Sequence, residues 1–374
     1  MSPMPSHDSL LTPTRLGALT LRNRIVMSPM TRTRATFDHV PTELMVDYYR
    51  QRASAGLIIT ECAMVAPKAS AFITDPGIYS DEQVAQWRKV TDAVHAEGGL
   101  IALQIWHPGR AAHPFNNDGA ETVSSTDRAI KDDGIPTLQG TVPQVAPRRL
   151  RLDELPGIVA QFRAAAVNAQ RAGFDAVQVH GAHGYLIDQF LRDSVNDRQD
   201  EYGGSIENRA RLLFEIVDAV IEVYGADRVG LRISPLVAYN DISDSDPVAL
   251  VRYVAEQFEA RGAAFFELRH NQFDDAAERE LAQLARGILK RVPLLLNGGY
   301  TREAGEADIA SGVADAIVYG KPYIANPDLV ERFALRAPLN DVDFSKLYAG
   351  GASGYVDYPR LSASAAAVTA DATA

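Results

Sequence analysis

The stretch Gln178-Val179-His180-Gly181-Ala182-His183-Gly184-Tyr185 places two imidazoles and a phenol within six positions. Side chains of these types move protons, stabilise negative charge growing on an oxygen, or ligate a metal. Histidines beside a helix start also occur as satisfied core groups, so residue type alone leaves the choice open. A metal pair is not expected, because only Asp188 lies close in sequence as an acidic third ligand, on a helix of unknown facing. The local pattern is a buried strand running into a turn. Residues 175–180 alternate, with Gln178 and His180 on one face and Val177 and Val179 on the other, and glycines then break the run.

What must position this stretch is legible as a repeat. Short apolar runs predict strands over 25–30, 56–64, 100–107, 175–180, 228–234, 263–269, 292–297 and 314–319. Amphipathic stretches between them predict helices near 42–54, 81–97, 153–172, 205–224, 246–261, 276–290, 301–311 and 326–335. Eight βα units imply a parallel sheet closing into a (β/α)8 TIM barrel. An open doubly wound sheet is the alternative, weakened because no Gly-x-Gly-x-x-Gly follows the first strand. Residues 15–22 alternate about Gly17 and predict an N-terminal hairpin plugging the barrel. Residues 108–150, after the third strand, form a capping insertion with no helical period. Residues 185–204, after the fourth, hold a short apolar helix and a polar loop, with Ser205 placed to cap the next helix. Both insertions follow strand C-termini, the face where barrel enzymes carry their sites. The expected organisation is a single domain over 11–361, with an Ala/Ser/Thr tract at 362–374 expected to be disordered.

The strand ends share a theme. Gln104 with Trp106, Gln178 with His180, and Arg232 with Ser234 each share a face opposite aliphatic neighbours. Buried amides and guanidiniums need partners. The partner is either a polar ligand common to the three strands or a network among the side chains themselves. Asn297-Gly298-Gly299 before Thr301, and Gly320-Lys321 after the last strand, suit an anion: glycine backbones approach a phosphate closely and a helix start favours its charge. An amide, a cation and a phosphate site two strands away describe a flavin mononucleotide pocket. Gln104 would pair with the pyrimidine edge, and Arg232 would sit where negative charge grows on reduction.

At this point the chain resembles the old yellow enzyme family of FMN-dependent ene-reductases. The resemblance is carried by Asn23 to Arg32, Gln104-Ile105-Trp106-His107-Pro108-Gly109-Arg110, His180 to Leu191, Tyr202 to Arg209, and Gly354-Tyr355-Val356-Asp357-Tyr358-Pro359. It runs from about Leu11 to Leu361 and is nearest in flavour to N-ethylmaleimide and nitrate-ester reductases and 12-oxophytodienoate reductases, which share His-x-x-His. The resemblance implies a barrel binding FMN non-covalently, reduction by NADH or NADPH, and hydride transfer from flavin N5 to an activated alkene. His180 and His183 would bind the substrate carbonyl and Tyr185 would protonate the other alkene carbon. Thr31 would contact the flavin near O4 and N5. Pro29, Met30 and Cys62 would line the ring, with Gln104, His180 and Arg232 among the cofactor contacts. Gly298, Gly299, Gly320 and Lys321 would hold the phosphate. Phe72, Trp106 and Tyr355 would line the substrate cavity. Three positions depart from the family pattern: Cys62 replaces a small alanine, Phe72 a frequent tyrosine, and Lys321 an arginine, a point charge for a fork. The segment Glu267-Leu268-Arg269-His270 receives no role.

The remaining alternatives are a non-redox barrel lyase or isomerase acting on a phosphorylated substrate, and a non-catalytic protein binding a flavin or a steroid-like ligand. Composition narrows the partners. The chain has 374 residues, 48 acidic against 37 basic, a net charge of −11 and no polybasic run, which speaks against nucleic acid and anionic membranes. Cys62 is the single cysteine, so no intramolecular disulfide forms, as expected in a reducing cytoplasm. Residues 1–12 do not read as a signal peptide and no long apolar run predicts a membrane span. A monomer or homodimer is expected.

Overall fold

The computed structural model describes residues 9–132 and 134–361. The expected disordered tail at 362–374 and the start of the 1–12 segment lie outside them. The strands Ile25–Met27, Leu57–Met64, Ile101–Trp106, Ala176–Gly181, Val229–Ile233, Phe265–Arg269, Leu294–Asn297 and Ala316–Tyr319 form a closed barrel, called here strands one to eight. Every pairing around it is parallel, and strand eight closes on strand one. Each strand sits inside its predicted run, shortened at the ends except the fourth, which extends by one residue to Gly181.

The reason the sequence closes this way is visible in two apolar layers. Inside the barrel, Val26, Leu57, Ile59, Ala102, Ala176, Ala264, Phe265, Leu295, Ala316 and Val318 pack together. Gly230 leaves room for Phe265, whose ring would sit 2.2 Å from a Cβ at that position. The hairpin of Thr14–Leu16 and Leu19–Leu21 closes the bottom, its Leu16, Leu19 and Leu21 joining the same cluster, as the alternation predicted. Outside, residues of opposite parity, such as Val177, Val179, Leu231 and Ile233, pack on the helices. The helices Glu43–Gln51, Asp81–Ala96, Leu155–Arg171, Pro247–Arg261, Ala276–Ile288 and Arg302–Ala310 follow the predicted ranges. Several helix starts are capped by a side chain: Ser80 accepts from Gln83 N–H, Ser205 from Asn208 N–H and Thr301 from Ala304 N–H.

Three details differ from the sequence reading. The helix predicted near 205–224 is broken at Ala210 into Ile206–Arg209 and Arg211–Tyr224. The insertion at 108–150 contains short strands: Val123–Ser124 pairs with Arg148–Arg149 and Ile135–Thr137 pairs with Gly140–Val142. Pieces of two or three residues are too short to show a period. Strand two carries a register shift against strand three between Ile59 and Cys62. This bulge switches which side chains face inward: Ile59 is in the barrel core, Glu61 meets the helix residue Tyr49, and Cys62 stands beside Gln104.

Candidate active site

The C-terminal ends of the strands open into one cavity of about 870 Å³, within the range of small-molecule and cofactor sites. Its floor is a chain of buried polar groups. Gln104 donates Nε2–H to Gln178 Oε1 at 2.8 Å, and Gln178 donates to Glu267 Oε2 at 2.7 Å. Arg232 Nε lies 2.9 Å from Glu267 Oε1, and Arg232 Nη2 donates to Asn297 Oδ1 at 3.1 Å. Asn297 in turn donates to Val318 O at 2.6 Å. Of the two partners posed by the strand ends, the network among the side chains is present, and Gln104, Arg232 and Asn297 also face the cavity. Glu267 neutralises Arg232 and fixes its direction. The sequence left Glu267 without a role, although its alternation with Phe265 and Arg269 placed it on the inner face.

Above this floor stand His180, His183 and Tyr185. The imidazole centroids are 5.5 Å apart and the His180 ring is 5.4 Å from Tyr185. His180 is held by the strand, in register with Arg232. His183 sits in the turn with a left-handed backbone, φ 58°; its N–H donates to Ser234 Oγ and its carbonyl accepts from Asn240 Nδ2, each at 2.8 Å. Gly184 follows at φ 70°, where a Cβ would lie 2.6 Å from Tyr239 O, so the turn requires glycine. Asp188 accepts from Gly184 N–H at 2.9 Å and thereby fastens the turn to the helix Leu186–Leu191. Tyr185 is the residue before that helix, and its ring packs edge-on against Trp106 at 4.4 Å.

The electrostatics set protonation states. Burial, helped by the Arg232 charge, holds both imidazoles well below the usual histidine range, so both are neutral at ordinary pH. Burial pushes the Tyr185 phenol well up, so it keeps its proton. His180 Nδ1 is buried without a hydrogen-bond partner among the described residues. The arrangement offers two neutral imidazoles and one protonated phenol to a common space.

At the far end, Gly298, Gly299, Gly320 and Lys321 line the same cavity. The backbone at Gly298 is pressed against strand six: a Cβ there would be 2.7 Å from His270 Cβ. Lys321 opens the short helix Lys321–Ala325, and its Nζ sits 5.7 Å from the Phe344 ring centre. Pro29, Met30, Thr31, Cys62 and Phe72 also line the cavity, and Thr31 Oγ1 contacts Cys62 Sγ at 3.3 Å.

Two expected wall residues are corrected. Tyr355 is fully buried, stacked on Tyr48 at 4.1 Å beneath the guanidiniums of Arg32 and Arg34, away from the cavity. Trp106 is fully buried one layer behind Tyr185. The aromatic rim is instead Phe72, Tyr239 and Tyr348. Tyr239 and Tyr348 come from loops whose sequence carries no periodic signal. Arg269 also reaches the cavity.

A cofactor with a polar heterocycle, a polyol and a phosphate fits these residues: an amide and a cation on the floor, an unpartnered imidazole nitrogen, and glycine backbones at the far end. The comparisons agree. The chain matches the NADH:flavin oxidoreductase / NADH oxidase family over residues 9–340. It is 47% identical over 359 residues to a probable flavin mononucleotide-dependent alkene reductase of Leishmania infantum, covering 95% of this chain and 98% of that protein. It is 44% identical over 360 residues to 12-oxophytodienoate reductase 1 of Oryza sativa subsp. japonica, covering 94% and 93%. The structure of morphinone reductase in complex with tetrahydroNAD superposes with a TM-score of 0.91 at 43% identity, covering 95% of this chain and 98% of that one. The chain belongs to the NADH:flavin oxidoreductase family, that of the old yellow enzymes, and is an FMN-dependent, NAD(P)H-linked ene-reductase. The lyase or isomerase alternative finds no support among these relatives.

Proposed function

We propose that the enzyme reduces the C=C bond of activated alkenes such as enones, enals and maleimides, with His180 and His183 binding the carbonyl oxygen and Tyr185 delivering the proton. FMN, when bound, would supply the redox chemistry of a ping-pong cycle, with hydride taken from NADH or NADPH in one half-reaction and passed to the alkene in the other. Gln104 and Arg232 hold the pyrimidine side, where the Arg232 cation balances charge gained on reduction. Thr31, with Pro29, Met30 and Cys62, backs the ring. Gly298, Gly299, Gly320 and Lys321 receive the phosphate. Phe72 walls the substrate, now with Tyr239 and Tyr348 in place of Trp106 and Tyr355.

The observation that carries this reading is the pairing of two uncharged imidazoles with a protonated phenol over the Gln104–Arg232 floor. Neutral imidazoles donate to an oxygen that becomes enolate-like without surrendering a proton to it. The phenol, a weak acid, protonates only a strongly basic centre, which an enolate carbon is. Nitro and nitrate-ester compounds are further acceptors for the same hydride. The functional unit is one barrel domain over 11–361, acting in the cytoplasm as a monomer or homodimer, which sedimentation resolves; among the described residues no helix is long and apolar enough to cross a membrane.

Purified protein is expected to be yellow, to bleach with NADPH or NADH under nitrogen, and to regain colour with cyclohexenone or N-ethylmaleimide. A protein that takes up no FMN, or whose reduced flavin ignores every such alkene, would overturn the proposal.

A further inference from the structure

We propose that Arg269, at the end of strand six, is a phosphate ligand of the flavin, reaching across to the Gly298–Gly299 backbone. This rests on the FMN reading above and extends it to a strand that the resemblance leaves without a role.

Position comes first. Arg269 is the last residue of strand six and lies two residues after Glu267, so both share the inner face. It is in register with Asn297, the residue before Gly298. His270 N–H donates to Asn297 O at 2.6 Å, and His270 Cβ packs on Gly298, so the two strand ends are locked together beside the glycines. Arg269 lines the cavity that these glycines line.

Charge comes second. The register carboxylate, Glu267, is occupied by Arg232 and Gln178. Arg269 Nη1 is buried and has no hydrogen-bond partner among the described residues. Burial, and then the neighbouring Arg232 charge, pull the Arg269 guanidinium down to about 10. Glu278 and Glu267 attract Arg269 only through space. Among the described residues neither forms an ion pair with it, Glu278 accepting from Asn271 and Gln272 and Glu267 held by Arg232. A second cation so placed on one cavity favours an anion there. A phosphate monoester supplies up to two charges and accepts a bidentate fork. Lys321 is a weaker candidate for the main contact: it is exposed, offers a point charge, and its ammonium already lies over Phe344.

The test uses the full chain stripped of flavin and titrated with FMN and with riboflavin, which lacks the phosphate, following flavin fluorescence. Arg269→Met is expected to weaken FMN by about 10- to 100-fold, as loss of a charge-assisted contact does, and to leave riboflavin within about twofold. Arg269→Lys should fall between, and Lys321→Met should lose less than Arg269→Met. Retained riboflavin binding shows that the variant is folded. If Arg269→Met binds FMN like the parent, or loses FMN and riboflavin equally, the assignment is wrong. A rise confined to the KM for NADPH would move Arg269 to the nicotinamide donor and also overturn it. If the parent apoprotein binds neither flavin, the functional reading falls first and this assignment with it.

Discussion

At the scale of single residues, the site divides labour by environment. His180 and His183 are set back in the cavity beside a permanent cation, and burial and that charge both disfavour imidazolium. The alkene half-reaction, followed by stopped-flow reoxidation of the flavin, should therefore be flat between about pH 5.5 and 9, where an ordinary histidine near 6.5 would impose an inflection. A clear inflection near 6.5 that disappears in His183→Asn would contradict the neutral pair. Tyr185 carries a separable duty. Tyr185→Phe should slow alkene reduction by about 100-fold or more, the usual worth of a positioned acid, while flavin reduction by NAD(P)H changes less than about twofold. Equal losses in both half-reactions would remove Tyr185 from the proton-transfer role. These side chains were legible in the sequence because their types and alternation are local facts. Arg269 and Glu267 were equally visible on the inner face of a strand, but which of them pairs with Arg232 depends on strand neighbours thirty or more residues away.

At the scale of elements, a bulge and a clamp shape the site. Without the extra residue between Ile59 and Cys62, alternation would turn Glu61 into the cavity and Cys62 out. Strand two reads as an apolar run interrupted by Thr60 and Glu61, with no period that marks a bulge, so neither the bulge nor its consequence is written in the local pattern. The clamp is the segment after strand one. Arg32 donates to Leu347 O and Gly354 O, and Arg34 to Lys346 O, Leu347 O and Gly351 O. These bonds seat the 346–354 loop over the cavity and carry Tyr348 to within stacking distance of Phe72, at 6.3 Å between ring centres. The resemblance implied Tyr355 on the wall; in the fold it is the aromatic slab under the two guanidiniums. Arg34→Ala should loosen the loop without touching the floor. The expected result is a KM for cyclohexenone raised about 3- to 10-fold with the rate of flavin reduction nearly unchanged, measured by steady-state and stopped-flow kinetics. An unchanged KM would mean that the loop does not shape substrate binding. The extended 108–150 insertion posed the same difficulty as this loop, since side-chain clamps to distant carbonyls leave no period to read.

At the scale of the whole molecule, the barrel was legible because eight strands repeat one pattern, and repetition outweighs error in any single boundary. Its cost is less visible: closing the outer layer buries Glu61 between strand two and the helix Glu43–Gln51. Its carboxylate accepts from Arg32 N–H at 3.1 Å and Tyr49 O–H at 3.2 Å, yet burial dominates and raises its pKa from the ordinary 4.5 to about 7. The sign of the linkage follows. Below 4.5 Glu61 is protonated in both folded and unfolded chains. Between 4.5 and 7 the unfolded chain releases the proton while the folded chain keeps it, so unfolding gains free energy as pH rises. Above 7 both are ionised and the loss is complete, at most about 3 kcal/mol for a shift of this size. Glu61→Gln keeps an acceptor for Tyr49 or Arg32 but has no proton to release. Urea unfolding of the FMN-saturated enzyme at pH 5 and pH 8 should show the parent losing more stability than Glu61→Gln across that interval. The variant should compare most favourably with the parent at pH 8. Parallel pH dependences for the two proteins would mean that Glu61 stays ionised in the fold, and that Arg32 and Tyr49 together outweigh its burial.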